Sequence, residues 1–132
     1  MTYALDTNII IDYLSGDPTV MIQFRNVAKN KIPMVIPSVV DYEVVRGFCH
    51  TKNVGKEATY RKMRLNCRTV EVNADIWKCA ASIWATLRKT GYTVGDADIL
   101  IAASCIVNGY TLVTHNAKDF ENITGLPFVD WT

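Results

Sequence analysis

The chain has no C-x-x-C pair; its four cysteines, Cys49, Cys67, Cys79 and Cys105, are scattered along 132 residues. That spacing argues against a zinc site. In a chain without a signal segment it points to reduced thiols in the cytosol, each buried and inert. No apolar run is long enough to span a membrane. Asp6 and Asp12 interrupt the N-terminal apolar stretch, so it does not read as a signal peptide. Repeats, low-complexity segments and linkers are missing as well. Charge of one sign is also lacking: 14 Lys and Arg face 13 Asp and Glu, a net +1. Bulk charge therefore says nothing about a nucleic-acid partner. What remains is 49% hydrophobic. That composition excludes a disordered chain and fits one globular domain, residues 1–132, with a real core.

Charge is unevenly placed. Between Arg46 and Arg68 stand Arg46, Lys52, Lys56, Arg61, Lys62, Arg64 and Arg68, against one acid, Glu57. A clustered basic face is the footprint of a phosphate-rich ligand. For any single one of these residues a solvated helix face explains it equally well.

The chain opens on Tyr3, Ala4 and Leu5, a short apolar strand ended by Asp6, with Thr7 and Asn8 leading into a helix to about Leu14. On this stretch alone Asp6 is either a helix cap or a carboxylate at a site. Ser15-Gly16-Asp17-Pro18 stops that helix. A second helix fits residues 19–29, then a strand at 34–36 between two prolines. Ser38 followed by Asp41 resembles a capping box, opening a helix to about Phe48 with Glu43 in its early turns. A helix over 55–66 carries the basic block, and 69–72 alternates as a strand. Asn73 caps the clearest helix, with Ile76, Ala80, Ile83, Trp84 and Leu87 at helical spacing and Gly91 as its stop. Gly95-Asp96 opens a helix over 97–108, closed by Gly109. A strand at 111–114, a helical turn at 116–120 and a short strand at 128–129 complete the chain.

Strands alternating with helices predict an α/β fold of three layers: a central, mainly parallel sheet of about five short strands, with helices on both faces. All the carboxyl ends of the strands then share one edge, where sites of such folds lie. Asp6 ends the first strand, Glu43 follows the second, and Asp119 follows the strand ending at Thr114. Asp98 lies in the first turn of the helix feeding that strand. These four acids can meet at one edge. Crowded carboxylates repel each other, so a cluster needs a cation. Oxygen ligands suit Mg²⁺ or Mn²⁺, and such a site suits phosphodiester hydrolysis.

The same residues resemble a family. Leu5-Asp6-Thr7-Asn8, Glu43, Asp98-Ile99-Leu100-Ile101-Ala102-Ala103, Thr114-His115-Asn116-Ala117-Lys118-Asp119-Phe120 and Gly125-Leu126 with Asp130-Trp131 follow the order of PIN domains, across essentially the whole chain. Length and ending look most like the VapC toxins of bacterial toxin–antitoxin pairs. The resemblance implies a Mg²⁺- or Mn²⁺-dependent endoribonuclease, often dimeric and silenced by a cognate antitoxin, with transfer RNA as one possible substrate. It implies an acidic site of Asp6, Glu43, Asp98 and Asp119, with Thr7, Thr114 and Asn116 as polar supports. RNA contacts are expected from Arg46, Lys52, Lys56, Arg61, Lys62 and Arg64.

Two acids, Asp96 and Asp98, stand where the motif needs one. At helical pitch they diverge; the match to Ile101-Ala102-Ala103 selects Asp98 and leaves Asp96 as N-cap. Asp41 reads as a cap-box residue, and Asp12 and Asp17 as solvated loop or helix-end acids. His50 and His115 read as structural or solvent-facing. The tryptophans read as core or interface, with Trp77 and Trp84 on one helix face available to a partner. The competing readings are metal-independent cleavage by His50 and His115, an idle domain that only binds RNA or protein, and a structure-specific DNA nuclease.

Overall fold

The computed structural model describes residues 1–131. In chain order the elements are β1 (Tyr3–Leu5), α1 (Thr7–Leu14), α2 (Pro18–Lys29), β2 (Met34–Pro37), α3 (Ser38–Thr51), α4 (Val54–Arg64), β3 (Arg68–Val70), α5 (Ala74–Thr90), α6 (Asp96–Asn108), β4 (Thr111–Thr114), a 3-10 turn (Ala117–Asp119) and β5 (Phe128–Asp130).

The strands form one sheet in the order β3-β2-β1-β4-β5, every neighbouring pair parallel. The strands are short, and their central residues Ala4, Leu5, Val35, Ile36, Leu112 and Val113 are fully buried or nearly so. Runs with no polar alternation suit strands covered on both faces. From β1 the chain adds strands in one direction, to β2 and β3. It then crosses back to add β4 and β5 on the other side of β1. Right-handed crossovers put α1 to α4 on one face and α5 and α6 on the other. The order therefore reverses between β1 and β4, where a crevice opens beyond the carboxyl ends.

Local chemistry sets the helix starts. Asn73 caps α5, its Oδ1 accepting from Ile76 N–H at 3.0 Å. Asn53 caps α4 in the same way through Lys56 N–H. Gly91 and Gly109 end α5 and α6 at φ of 80° and 72°, the left-handed conformation that glycine adopts without a Cβ clash. The C-terminal strand is tied down by Trp131, which is buried edge-on against Tyr3 and Phe24, with ring centroids 6.1 and 5.4 Å apart.

Several local expectations are corrected. Asp17 stands at a helix end, as one of its readings has it, but at a start rather than a stop: its Oδ1 accepts from Val20 N–H at 3.0 Å and caps α2, with Pro18 at the first helical position. The capping box at Ser38 and Asp41 does not form. Pro37 occupies the N-cap without a side-chain bond, and Asp41 turns to α4, accepting from Tyr60 Oη–H at 2.7 Å. β3 begins one residue earlier and ends two earlier than its alternating pattern suggests. Cys105 is buried, Cys67 and Cys79 are half-buried, and Cys49 is exposed; all four are free thiols. No helix among the described residues is long and apolar enough to cross a membrane.

Asn73→Ala removes the cap of the longest helix and should cost about 1 kcal/mol. It should lower the urea midpoint with an unchanged m-value, which equilibrium unfolding followed by circular dichroism will measure.

Candidate active site

Asp6 leaves the end of β1 at the reversal point and is 4% exposed. Its backbone N–H extends the β1–β4 ladder to Val113 O at 2.9 Å. Its carboxylate is shared between two elements. Oδ1 accepts from Thr7 N–H at 2.8 Å, which makes Asp6 the N-cap of α1. Oδ2 accepts from the Thr114 hydroxyl at 2.8 Å, across to β4. The two readings of Asp6 are thus compatible, because each oxygen serves one. Burial pushes the Asp6 carboxyl above its ordinary range, and the Thr114 and Thr7 hydrogen bonds pull it back down.

Thr114 is itself oriented. The Asn116 backbone N–H donates to its Oγ1 at 2.9 Å, which leaves the hydroxyl proton for Asp6. Asn116 therefore acts here through its backbone rather than its amide. Thr7 supplies a second link: its hydroxyl donates to Glu43 Oε1 at 2.8 Å. Glu43, one and a half turns into α3, is half-buried and also lies 3.5 Å from Arg46. That single exposed contact adds little stability.

Asp98 sits in the first turn of α6, half-buried. Its carboxyl is pushed up to about 6, first by burial and then by the facing charges of Asp6, Asp119 and Glu43. All three other expected acids therefore act on it through space, although they come from separate elements. Asp119 ends the 3-10 turn after β4 and is the exposed member of the four. Among the described residues neither Asp98 nor Asp119 has a side-chain hydrogen bond or ion pair, so both carboxylates are open.

Asp96 lies outside this group. Gly95, not Asp96, is the N-cap of α6, and no side chain caps that helix. Asp96 is its exposed first residue. Asp12 departs from its solvated reading, while His115 takes a structural role, one of the two expected for it. They are half-buried and bonded to each other, Asp12 Oδ2 to His115 Nδ1, joining α1 to the segment after β4. His50 is exposed near the far end of α3. No sequence pattern announces the Asp12–His115 pair, because its members are 103 residues apart.

The donor set is four carboxylates with hydroxyl supports. Among the described residues no three acidic or histidine groups stand close enough to grip an ion as they are. That looseness fits Mg²⁺, which keeps several waters and takes only one or two carboxylates directly. The open, mutually repelling Asp98 and Asp119 are the groups a cation would relieve.

The model of the PIN domain family matches residues 3–126. The chain belongs to the PIN-domain family. This PIN domain is 30% identical to Ribonuclease VapC1 of Haemophilus influenzae, over all of this chain and 99% of that protein. It is 27% identical to the tRNA(fMet)-specific endonuclease VapC of Shigella flexneri, over 100% of this chain and 99% of the relative. Among solved structures, the VapBC2 complex of Rickettsia felis bound to a promoter DNA fragment superposes with a TM-score of 0.92, at 25% identity and full coverage of both chains.

The raised carboxyl of Asp98 makes the metal-free PIN domain pH-sensitive. Unfolded, the group titrates near 3.8; folded, near 6. The folded state binds this proton more tightly. Its contribution is therefore complete below about pH 4 and is lost as pH rises through about 6. Two units at ~1.4 kcal/mol set an upper bound of roughly 3 kcal/mol, and partial exposure reduces it. Asp98→Asn should stabilise the chelated protein at pH 7.5 by roughly 1–2 kcal/mol and have little effect at pH 4. Urea melts of both proteins at the two pH values will measure the difference.

Proposed function

We propose that this chain, as one nuclease domain spanning residues 1–132, is a divalent-metal-dependent endoribonuclease and the toxin of a toxin–antitoxin pair. The observation that carries the reading is the facing of Asp6, Glu43, Asp98 and Asp119 from four separate elements at the sheet's reversal point. Family membership supplies the reaction class, and PIN-domain ribonucleases are generally dependent on divalent metals. Asp6, Glu43, Asp98 and Asp119 would hold Mg²⁺ or Mn²⁺, directly or through water. When bound, such an ion supplies charge stabilisation for the phosphate and a stronger nucleophile from water at neutral pH.

The chain's own residues do the positioning. Thr114 and the Thr7 N–H aim the Asp6 carboxylate and partly offset the burial that raises its pKa. Thr7 fixes one oxygen of Glu43 and leaves the other toward Arg46. Asp98 and Asp119 stay open to move onto a cation. The uncapped first turn of α6 presents N–H groups beside them, a favourable place for an RNA phosphate.

A histidine pair does not suit the geometry. His115 is committed to Asp12. His50 is seven residues beyond Glu43 on α3, about 10 Å further along its axis, and is exposed. With one ring committed to Asp12 and the other away from the acids, the two do not make a ready acid–base pair.

The basic residues divide into two sets. Arg64 Nε stands 3.3 Å from Asp41, and its guanidinium lies 5.8 Å from the centre of the Tyr60 ring, so it bridges α3 and α4. Arg61 pairs with Glu57 on its own helix at 2.8 Å. Lys52 and Lys62 are exposed, and Lys56 Nζ reaches only the Ser15 hydroxyl, at 3.4 Å. With Arg46, these lysines are the cations best placed to meet RNA. An antitoxin partner follows from the toxin reading, and the exposed Trp77 on α5 suits a contact in a homodimer. Transfer RNA is the substrate to test first, after the Shigella relative. The compartment we assign is the cytoplasm, where that RNA is found.

Purified protein freed of any antitoxin should cut RNA with Mg²⁺ or Mn²⁺ and stop under excess EDTA. Undiminished cutting under EDTA would end the metal reading. Asp98→Asn should lose at least a hundredfold in rate while keeping its fold. Asp96→Asn, exposed and outside the cluster, should keep most activity and change stability by only a few tenths of a kcal/mol. An active Asp98→Asn beside an inactive Asp96→Asn would shift the site by two residues.

Charge reversal at Lys52, Lys56 and Lys62 together should weaken RNA binding and flatten its salt dependence. The slope of log K against log salt should fall by about 2–3. Titrations across a range of salt concentration will show whether it does; an unchanged slope would make these lysines a solvated surface.

A further inference from the structure

Beside the open acids lies a cleft of about 150 Å³ lined by Tyr92, Thr93, Asp98, Lys118, Asp119 and Asn122, among others. A cavity of that size admits a benzene-sized ring. Its walls differ in chemistry. Asp98 and Asp119 form the side shared with the acidic cluster. The same cleft is lined by an aromatic ring, a cation, a hydroxyl and an amide. Among the described residues the Thr93 hydroxyl and the Asn122 amide have no hydrogen-bond partner, so both can bind a ligand.

Tyr92 is held in place by its backbone. Gly91 N–H donates to Arg88 O at 3.3 Å, and Tyr92 N–H donates to Leu87 O at 3.0 Å. These two bonds make a Schellman motif with Gly91 at the left-handed position. The residue in Tyr92's place in that motif usually packs down on the helix end. Tyr92 nevertheless remains 49% exposed, an open ring carried on a fixed backbone. On its other side Tyr92 borders a smaller cleft with Trp84 and Arg88. There the Arg88 guanidinium lies 4.7 Å from the centre of the Trp84 ring. Rings alternating with cations beside a phosphate-cleaving site are what an unpaired nucleic-acid strand binds, base on ring and phosphate near cation.

We propose that Tyr92 is the stacking platform for an unpaired base next to the scissile phosphate. In this arrangement Asn122 and Thr93 hydrogen-bond the edge of that base, and Trp84 with Arg88 receives the following nucleotide. The inference rests on the endoribonuclease reading and narrows its substrate to RNA single-stranded at the cut. It also revises the expectation that Trp84 is only core or interface.

The test uses full-length protein and a short single-stranded RNA containing one cut site. Tyr92→Ala should raise KM roughly 5- to 100-fold, with kcat changed less than about threefold. Tyr92→Phe, which keeps the ring, should recover most of that loss. Placing an abasic nucleotide at each position in turn should find one position beside the cut where the parent loses as much as Tyr92→Ala does. At that position the abasic RNA should cost Tyr92→Ala nothing further, the signature of two groups in contact. Additive losses at every position, or an unchanged KM in Tyr92→Ala, overturn the platform and leave the nuclease reading intact. If the parent cuts no RNA, the nuclease reading fails first. Binding of the same RNA to chelated protein, read by tryptophan emission, then decides the cleft: loss in Tyr92→Ala supports it, and equal binding overturns it. A loss accompanied by a change in oligomeric state assigns this face to a second copy of the chain and overturns the proposal too.

Discussion

Everything at the acidic edge depends on one buried carboxylate. Among the described residues Asp6 makes no ion pair, and burial alone would favour its neutral form. Two hydrogen bonds oppose that, one from the start of α1 and one from the end of β4. They are also the joints between those elements. β1 is only three residues long, and its exit into α1, its register with β4 and the aim of Asp6 are fixed together. Because the strand order reverses at this pair, the most constrained side chain in the crevice is also the most central. The Asp12–His115 contact braces the same two segments a turn and a half further along α1.

The other acids tolerate less order, and the charge balance explains why. Glu43 has a hydroxyl and a nearby guanidinium. Asp98 and Asp119 have neither, and Asp98 responds by holding its proton to about pH 6. A fold selected for stability alone would not leave that repulsion in place, since an amide would relieve it. The proposed function would explain the cluster: it would hold a cation, and then the phosphate the cation attracts. Stability is lost where function is gained, as is common at active sites.

Much of this was legible in sequence, for identifiable reasons. The alternation of short apolar runs with helical periodicity predicted the parallel sheet; Asp6, Glu43 and Asp119 follow strand ends, and Asp98 opens the helix that feeds β4. Asn73 was readable because its cap bond is local. The misreadings came where a local signal lost to a distant partner. Ser38 and Asp41 have the spacing of a capping box, but Tyr60 and Arg64 claim the Asp41 carboxylate from another helix. Asp17 and Pro18 read as part of the stop of α1; at the first helical position proline is also a start, and Asp17 caps α2. Asp96 looked like an N-cap because it follows a glycine, yet Gly95 takes that position itself. The pairing of Asp12 with His115 has no local signature at all. Tyr92 gave no periodic signal, because it lies between two helices.

The fate of the basic block changes where an RNA strand would run. Read as sequence, seven cations on neighbouring helices suggest a continuous positive face. In the fold, Arg64 is spent joining α3 to α4, Arg61 faces its own Glu57, and Arg68 donates to the Tyr110 hydroxyl at 2.6 Å. Of the remaining lysines, Lys56 lines a cleft together with Glu43. Lys118 lines the cleft of Asp98, Asp119 and Tyr92, and Arg88 lies against Trp84. Cations thus stand beside acids of the cluster on more than one element, and a polyanion drawn to them would meet the carboxylates as well. Under the proposed function, a strand that places a base on Tyr92 would gain from that ring too, which favours unpaired RNA at the point of cleavage.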